Sequence, residues 1–143
     1  ETAKQLIIFK GHEFHVNSVK YGSNELVNTI LSGSNDKTIR LWDIRSGQQI
    51  QMFNGHTNSV NAAEYSPFVV NNNKIGGNSN VMCSGSFDNT IRFWDIRSNN
   101  KELYTIEEEK EIMCLKFLQL RNGNNDYANL CYCSRNGIIR VWG

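Results

Sequence analysis

The residues best suited to chemistry are two sets of histidine, serine and aspartate: His12, Ser32 and Asp36, then His56, Ser84 and Asp88. By inventory each set fits a hydrolase, in which an imidazole takes the serine proton and a carboxylate orients the imidazole. Such an enzyme also needs a preorganised oxyanion site and a nucleophile on a strained turn such as G-x-S-x-G, and neither is visible. The constellation also occurs twice. "SGSNDKTIRLWDIRSG" at 32–47 and "SGSFDNTIRFWDIRSN" at 84–99 agree at twelve of sixteen positions. Architecture explains such a duplication; catalysis does not.

The elements that must position these residues repeat with them. Trp42, Trp94 and Trp142 stand 52 and 48 residues apart, a period somewhat longer than the roughly 40 to 45 residues of a four-stranded repeat unit. Apolar residues follow at offsets of four, seven and nine: Val16, Val19 and Tyr21 after His12; Val60, Ala63 and Tyr65 after His56; Ile112, Leu115 and Phe117 after Glu108. Matching "HVNSV" to "HTNSV" alone selects His15, but this longer register selects His12. Within "TIRLWDI", Ile39 and Leu41 alternate with Thr38, Arg40 and Trp42, the period of a strand, and "SND" or "SFD" supplies turn residues. No segment sustains a helical period, so each unit reads as four antiparallel strands. The extra length falls in "SPFVVNNNKIGGNSN" and "QLRNGNNDYAN", both read as Asn/Gly-rich loops between a unit's first two strands.

The "GH" pairs at 11 and 55, the "WD" pairs at 42 and 94 and the pattern S-x-S-x-D-x-T-I-R-x-W-D between them resemble the WD-repeat family of β-propellers, over nearly all of the chain. The resemblance implies an all-β fold of propeller blades, three four-stranded antiparallel sheets forming an arc of a larger propeller. It assigns residues 5–10 to a strand of a preceding blade, then repeats over 11–53, 54–106 and, in degenerate form, 107–143. It further implies a structural network in which the indole N–H of Trp42 or Trp94 meets the serine hydroxyl, the hydroxyl meets histidine, and histidine meets the turn aspartate. A buried indole N–H left unpaired costs about 1 to 3 kcal/mol, which gives the network its purpose. In the third unit the equivalents are Glu108, Tyr132, Asn136 and Trp142, with Gly143 in place of aspartate. The same chain cannot form there, and apolar packing is expected to hold that blade.

Propellers close with about four to eight blades. Three units fall short of a ring, the chain opens on Glu1 with an outer strand "LIIFK", and it ends on the non-edge strand "IIRVW", so the last unit lacks its edge strand. An arc of a longer propeller is therefore expected, with self-association into a six-bladed ring as the other route to closure.

Formal net charge is +1 and charged residues make up 20%, which implies no strong electrostatic partner and argues against nucleic acid. Apolar runs such as "LII" and "FVV" fall far short of a membrane span. Cysteines stand at 83, 114, 131 and 133; the C-x-C spacing with no histidine after it does not suit zinc, and no metal or other cofactor is expected. The absence of any N-x-S/T acceptor favours an intracellular chain with free thiols.

Without a catalytic constellation, the expected function is that of a protein–protein interaction scaffold. The resemblance implies that partners meet the histidine-side loops, through His15, Asn17 and Asn35 in the first unit, Ser59, Asn61 and Phe87 in the second, and Glu111, Met113 and Arg135 in the third. Phe87 is the leading candidate, because aromatic anchors dominate interface energetics, although packing on a neighbouring blade explains it equally well. "EEEKE" at 107–111 reads as a charged outer loop. "ILSGSNDKTIRLWDIR" also resembles the box by which some WD-repeat proteins dock on the adaptor of a cullin-RING ubiquitin ligase, with Arg45 and Arg97 as contacts, although strands and turn already demand nearly every position in it.

Overall fold

The computed structural model describes residues 6–22, 26–67, 80–122 and 125–143. Short β-branched and aromatic runs bounded by Ser, Asn, Asp and Gly turns form eleven strands among these residues, and the fold is all-β. The first sheet pairs β1 (Val16–Tyr21), β2 (Thr29–Ser34), β3 (Ile39–Asp43) and β4 (Gln49–Phe53) in chain order, all antiparallel. The second repeats that order with β5 (Val60–Tyr65), β6 (Val81–Ser86), β7 (Thr90–Asp95) and β8 (Glu102–Glu107). The third contains β9 (Ile112–Asn122), β10 (Asn125–Ser134) and β11 (Ile139–Trp142). It has three strands among the described residues, in the order β11-β10-β9.

The sheets stack face to face. Leu31, Ile39, Leu41 and Phe53 of the first pack on Val60, Ala63, Met82 and Trp94 of the second. Ala62, Cys83, Ile91 and Phe93 on the other side of the second pack on Ile112, Leu115, Leu130 and Tyr132 of the third. The second sheet is covered on both sides, and β6 is accordingly buried at all six positions, whereas β1 has none buried.

Each junction depends on a glycine in the second strand of the blade before it. A Cβ on Gly33 would stand 2.8 Å from Val60 Cγ1, and one on Gly85 would stand 2.5 Å from Ile112 Cγ2. Each innermost strand also carries an irregularity in its register: between Val16 and Ser18 in β1, between Val60 and Ala62 in β5, and opposite the Cys133–Ser134 step in β9. The extra residue is Asn17, Asn61 or Met113. A bulge re-aims such a side chain, with consequences for the loop face.

Two expectations change. The stretch 119–129 is not a loop: β9 and β10 continue through it, with Asn122 opposite Asn125 and only residues 123 and 124 between the strands. The register set at Leu130 and Phe117 carries on without a shift to Asn125 and Asn122, and this pairing outweighs the loop-like composition. Residues 6–10 form no ladder among the described residues. Phe9 lies 5.8 Å from the Trp42 ring, as Phe53 lies 5.9 Å from that of Trp94. Residue 5 and most of "SPFVVNNNKIGGNSN" lie outside the described residues.

Gly85→Ala should force the second and third sheets apart and cost about 1 to 3 kcal/mol. Urea denaturation would show this as a lower midpoint at unchanged slope.

Candidate functional site

The paired histidine, serine and aspartate side chains converge inside the blades. Trp42 Nε1 donates to Ser32 Oγ at 2.8 Å, and His12 stands between Ser32 Oγ at 2.7 Å from Nε2 and Asp36 Oδ2 at 2.8 Å from Nδ1. In the second blade Trp94 Nε1 donates to Ser84 Oγ at 2.9 Å, with His56 placed at 2.7 Å from Ser84 and 2.8 Å from Asp88. A carboxylate only accepts, so Nδ1 carries the imidazole proton and Nε2 accepts from the serine hydroxyl. β2 and β6 supply the serines, β3 and β7 the tryptophans, and the turn between each pair the aspartate.

Those aspartates are held by more than histidine. Asp36 Oδ1 accepts from the Thr38 hydroxyl at 2.6 Å and Thr38 N at 3.0 Å, while Glu13 N donates to Oδ2 at 3.1 Å. Asp88 receives the equivalent bonds from Thr90 and from Thr57 N. Burial pushes both carboxyls up, but the donated hydrogen bonds outweigh it and hold each well below the usual carboxylate range. Thr38 and Thr90 were not singled out by sequence; the signal was the repeated D-x-T spacing.

This geometry commits both serines to hydrogen bonds inside the blades. Each serine oxygen already accepts from an indole and faces an imidazole, Ser32 and Ser84 are buried, and Trp42 and Trp94 are 3% and 1% exposed. No approaching carbonyl could reach the oxygen without dismantling the blade.

The third blade corrects the expectation that packing alone holds it. Trp142 Nε1 donates to Tyr132 Oη at 2.9 Å, Tyr132 donates in turn to Glu108, and Arg140 pairs with Glu108 at 3.2 Å. A longer phenol places its hydroxyl where the short serine hydroxyl serves elsewhere, and a carboxylate replaces imidazole as the next acceptor. Burial, followed by the hydrogen bond to Glu108, pushes the Tyr132 phenol up to about 12. Asn136 accepts from the Ser134 hydroxyl at 2.6 Å and stays out of this relay.

On the histidine-side loops, Asn17 Nδ2 reaches Val60 O of the next sheet at 3.0 Å and Asn35 Oδ1 at 2.6 Å. Asn61 Nδ2 likewise reaches Ile112 O at 2.8 Å. These bulge-aimed side chains tie one blade to the next, while Met113 at the third position is exposed. His15 is exposed and Ser59 half-buried, and their carbonyls accept from Asn35 N and Phe87 N, each at 2.9 Å. Phe87 is half-buried beneath Arg135 of the third blade, whose guanidinium carbon is 6.0 Å from the ring centre, and Arg135 pairs with Glu111 at 3.2 Å. The structure thus brings Phe87, Arg135 and Glu111 together.

A family model described as "WD domain, G-beta repeat" matches residues 3–43 and 47–95. The chain belongs to the WD-repeat family. It is 34% identical over 111 residues to a guanine nucleotide-binding protein subunit beta from Zea mays, covering 77% of this chain and 28% of that protein. Its identity to the protein of the same name from Arabidopsis thaliana is 31% over 132 residues, 89% of this chain and 34% of that one. Eukaryotic translation initiation factor 3 subunit I of Schizosaccharomyces pombe is 30% identical over 111 residues, 78% of this chain and 30% of that protein. The chain therefore spans about a third or less of the length of these relatives.

The D-x-R segment after each WD pair has a local purpose. Asp43 accepts from Arg45 N at 3.3 Å and from the Ser46 hydroxyl at 2.6 Å, and Asp95 accepts from Arg97 N at 2.9 Å, so the aspartate closes a turn. Arg45 and Arg97 are both exposed. With the Asn80 amide turned oxygen-inward, that oxygen accepts from Arg97 Nε at 2.9 Å.

His56→Ala should strand the Ser84 hydroxyl proton, take one donor from the Asp88 carboxylate and cost about 2 to 4 kcal/mol, whereas Asn136→Ala should cost under about 0.5 kcal/mol. Equal losses in thermal melts would contradict this network. Acid should also unfold the protein. Between the unfolded aspartate value near 4 and the depressed folded value, the unfolded chain takes up protons that the folded one refuses. Stability should therefore be intact above about pH 4 and fall progressively below it. Asp88→Asn should flatten that acid slope in melts taken from pH 5 to pH 2.5; an unchanged slope would count against Asp88 as one of its sources.

Proposed function

We propose that this chain forms part of a non-catalytic scaffold that holds protein partners over the histidine-side loops of its blades. The observation that carries this reading is the commitment of both Ser–His–Asp sets to buried hydrogen bonds, which leaves the blades as a frame and the loops as the reactive surface. Among the described residues no cluster of His, Cys, Asp and Glu suits a metal ion, and no helix is long and apolar enough to cross a membrane.

The relatives support a partner-holding role. Two kinds are named as subunits, of a guanine nucleotide-binding protein and of a translation initiation factor, and 88 residues match the general transcriptional corepressor TUP1 of Saccharomyces cerevisiae at 38% identity. Their shared architecture serves unrelated processes, as expected when a rigid repeat frame presents variable loops.

On that surface Phe87 offers an aromatic contact, the Arg135–Glu111 pair offers charge of both signs, and Met113 adds an adaptable apolar side chain. Together they suit an extended peptide segment with an apolar anchor and a flanking charge.

A photo-crosslinking amino acid placed at position 113 or 135 should yield protein adducts in extracts of the source cells, while one at position 46, by the D-x-R turn, should yield few. Equal adduct formation from both sites would overturn the loop-face assignment. Competition of the adducts by Phe87→Ala protein should be weaker than by the wild type.

A further inference from the structure

Four thiols occur in the chain, and one is sealed. Cys83 is fully buried between the second and third sheets, where burial pushes its thiol well up. The other three share one face of the third sheet. Side chains alternate along a strand, so Cys131 and Cys133 of β10 point away from the buried Leu130 and Tyr132. In the antiparallel register Cys133 stands directly opposite Cys114 of β9, and Cys131 opposite Lys116.

That register suits a covalent bridge. Opposed residues on antiparallel strands hold their Cα atoms about 4.5 to 5.5 Å apart, within the roughly 4.4 to 6.8 Å that a disulfide spans. Both side chains stand on the same face of the pair, as directly opposed residues of an antiparallel ladder do. Cys131 is two residues along the strand from Cys133, about 6.7 Å by strand rise, at the outer limit of that range. Cys114 is exposed and Cys133 partly so.

Comparison of the repeats adds a second observation. Counting from the tryptophan-bonded hydroxyls of Ser32, Ser84 and Tyr132, the next residue is Gly33, Gly85 and Cys133. The first two blades keep this position free of a side chain so that the next sheet can approach. The third places a thiol there, facing a second thiol, and neither takes part in the indole relay.

We propose that Cys114 and Cys133 form a dithiol that closes to a cross-strand disulfide when oxidised by a low-molecular-weight disulfide such as oxidised glutathione. The exposed Cys114 thiolate attacks one sulfur of the oxidant, the oxidant's S–S bond breaks, and one glutathione leaves as thiolate. Cys133, having lost its proton to solvent, then attacks Cys114 Sγ of the mixed disulfide and displaces the second glutathione. The two protein thiols lose two electrons and two protons, and the oxidant is reduced to two glutathione thiols. Closure ties β9 to β10 and withdraws both thiols from the face beside Ile139 and Val141.

The test holds the folded, reduced chain in millimolar glutathione of increasing oxidised fraction, quenches with acid and alkylating agent, and maps disulfides by mass spectrometry without reduction. The wild type and Cys131→Ser should both give the Cys114–Cys133 cross-link, exceeding the mixed disulfide by about tenfold or more because the second thiol is held in place. Cys114→Ser and Cys133→Ser should give only the glutathione adduct of the remaining partner. The proposal fails if the folded wild type stays as free thiols or mixed disulfides, if the bridge runs through Cys131, or if the cross-link appears only in urea. Mapping of the wild type decides the matter alone, so a variant that does not fold does not rescue the idea.

Discussion

A tryptophan N–H taken out of water needs an acceptor in the protein, and each group that meets this need creates another. Ser32 accepts from Trp42, and its own proton then needs an acceptor, which His12 provides through Nε2. The imidazole Nδ1–H requires an acceptor in turn, and Asp36 supplies one. Removing that carboxylate charge from water is tolerable only because Thr38 and two backbone N–H groups donate to it. The sequence of demands ends at the turn and the entering loop. Two strands, a turn and the segment before β1 are therefore fixed relative to one another by one buried proton. The same need accounts for the hydrolase-like inventory without calling on hydrolysis: the serine hydroxyl accepts from the indole and donates to the imidazole.

The third blade shows that the demand is for a hydroxyl at a place, not for a residue type. The indole-to-hydroxyl distances are 2.8, 2.9 and 2.9 Å, although the last acceptor is a phenol. A phenol is a better donor than an alcohol, so a carboxylate suits it as a partner, and Arg140 balances the charge that Glu108 brings. Trp142 is 51% exposed, so water can share in solvating its N–H, and the relay there need not be sealed as in the first two blades.

The paired motifs were legible because the serine, turn aspartate and tryptophan of each blade lie within ten residues of one another and occur twice. Trp, Ser and Asp recur at fixed offsets from one another, each His keeps a fixed offset to the strand that follows it, and the strand period could be read around them. What the sequence did not reveal depends on reach and direction. Asn17 and Asn61 recur at one offset from His12 and His56, but only the bulge shows that they turn toward Val60 O and Ile112 O of the following sheet. Tyr132 reads as the loss of a serine until its length is set against Glu108. The Asn-rich stretch at 119–129 reads as a loop by composition, whereas the pairing of Asn122 with Asn125 depends on how two strands meet.

The junctions between blades follow a second rule, and the third blade departs from it. Gly33 and Gly85 let the next sheet approach, Asn17 and Asn61 bond to its innermost strand, and Lys20 pairs with Glu64 of that strand at 2.8 Å. In the third blade the matching positions hold Cys133, Met113 and Lys116, so only the lysine is retained. Ile39 and Leu41 are buried at the first junction, while their counterparts Ile139 and Val141 are 72% and 56% exposed. A fully buried side chain of this kind contributes about 1.5 to 3 kcal/mol, so this face retains an appreciable drive to be covered. A sheet seated on it at the spacing of the other two junctions would meet the Cβ and sulfur of Cys133 where they offer an open glycine. Anything that covers this face must therefore sit farther out or have a small side chain opposite the thiol, and an acidic group near Lys116 would reproduce the pairing of Lys20 with Glu64.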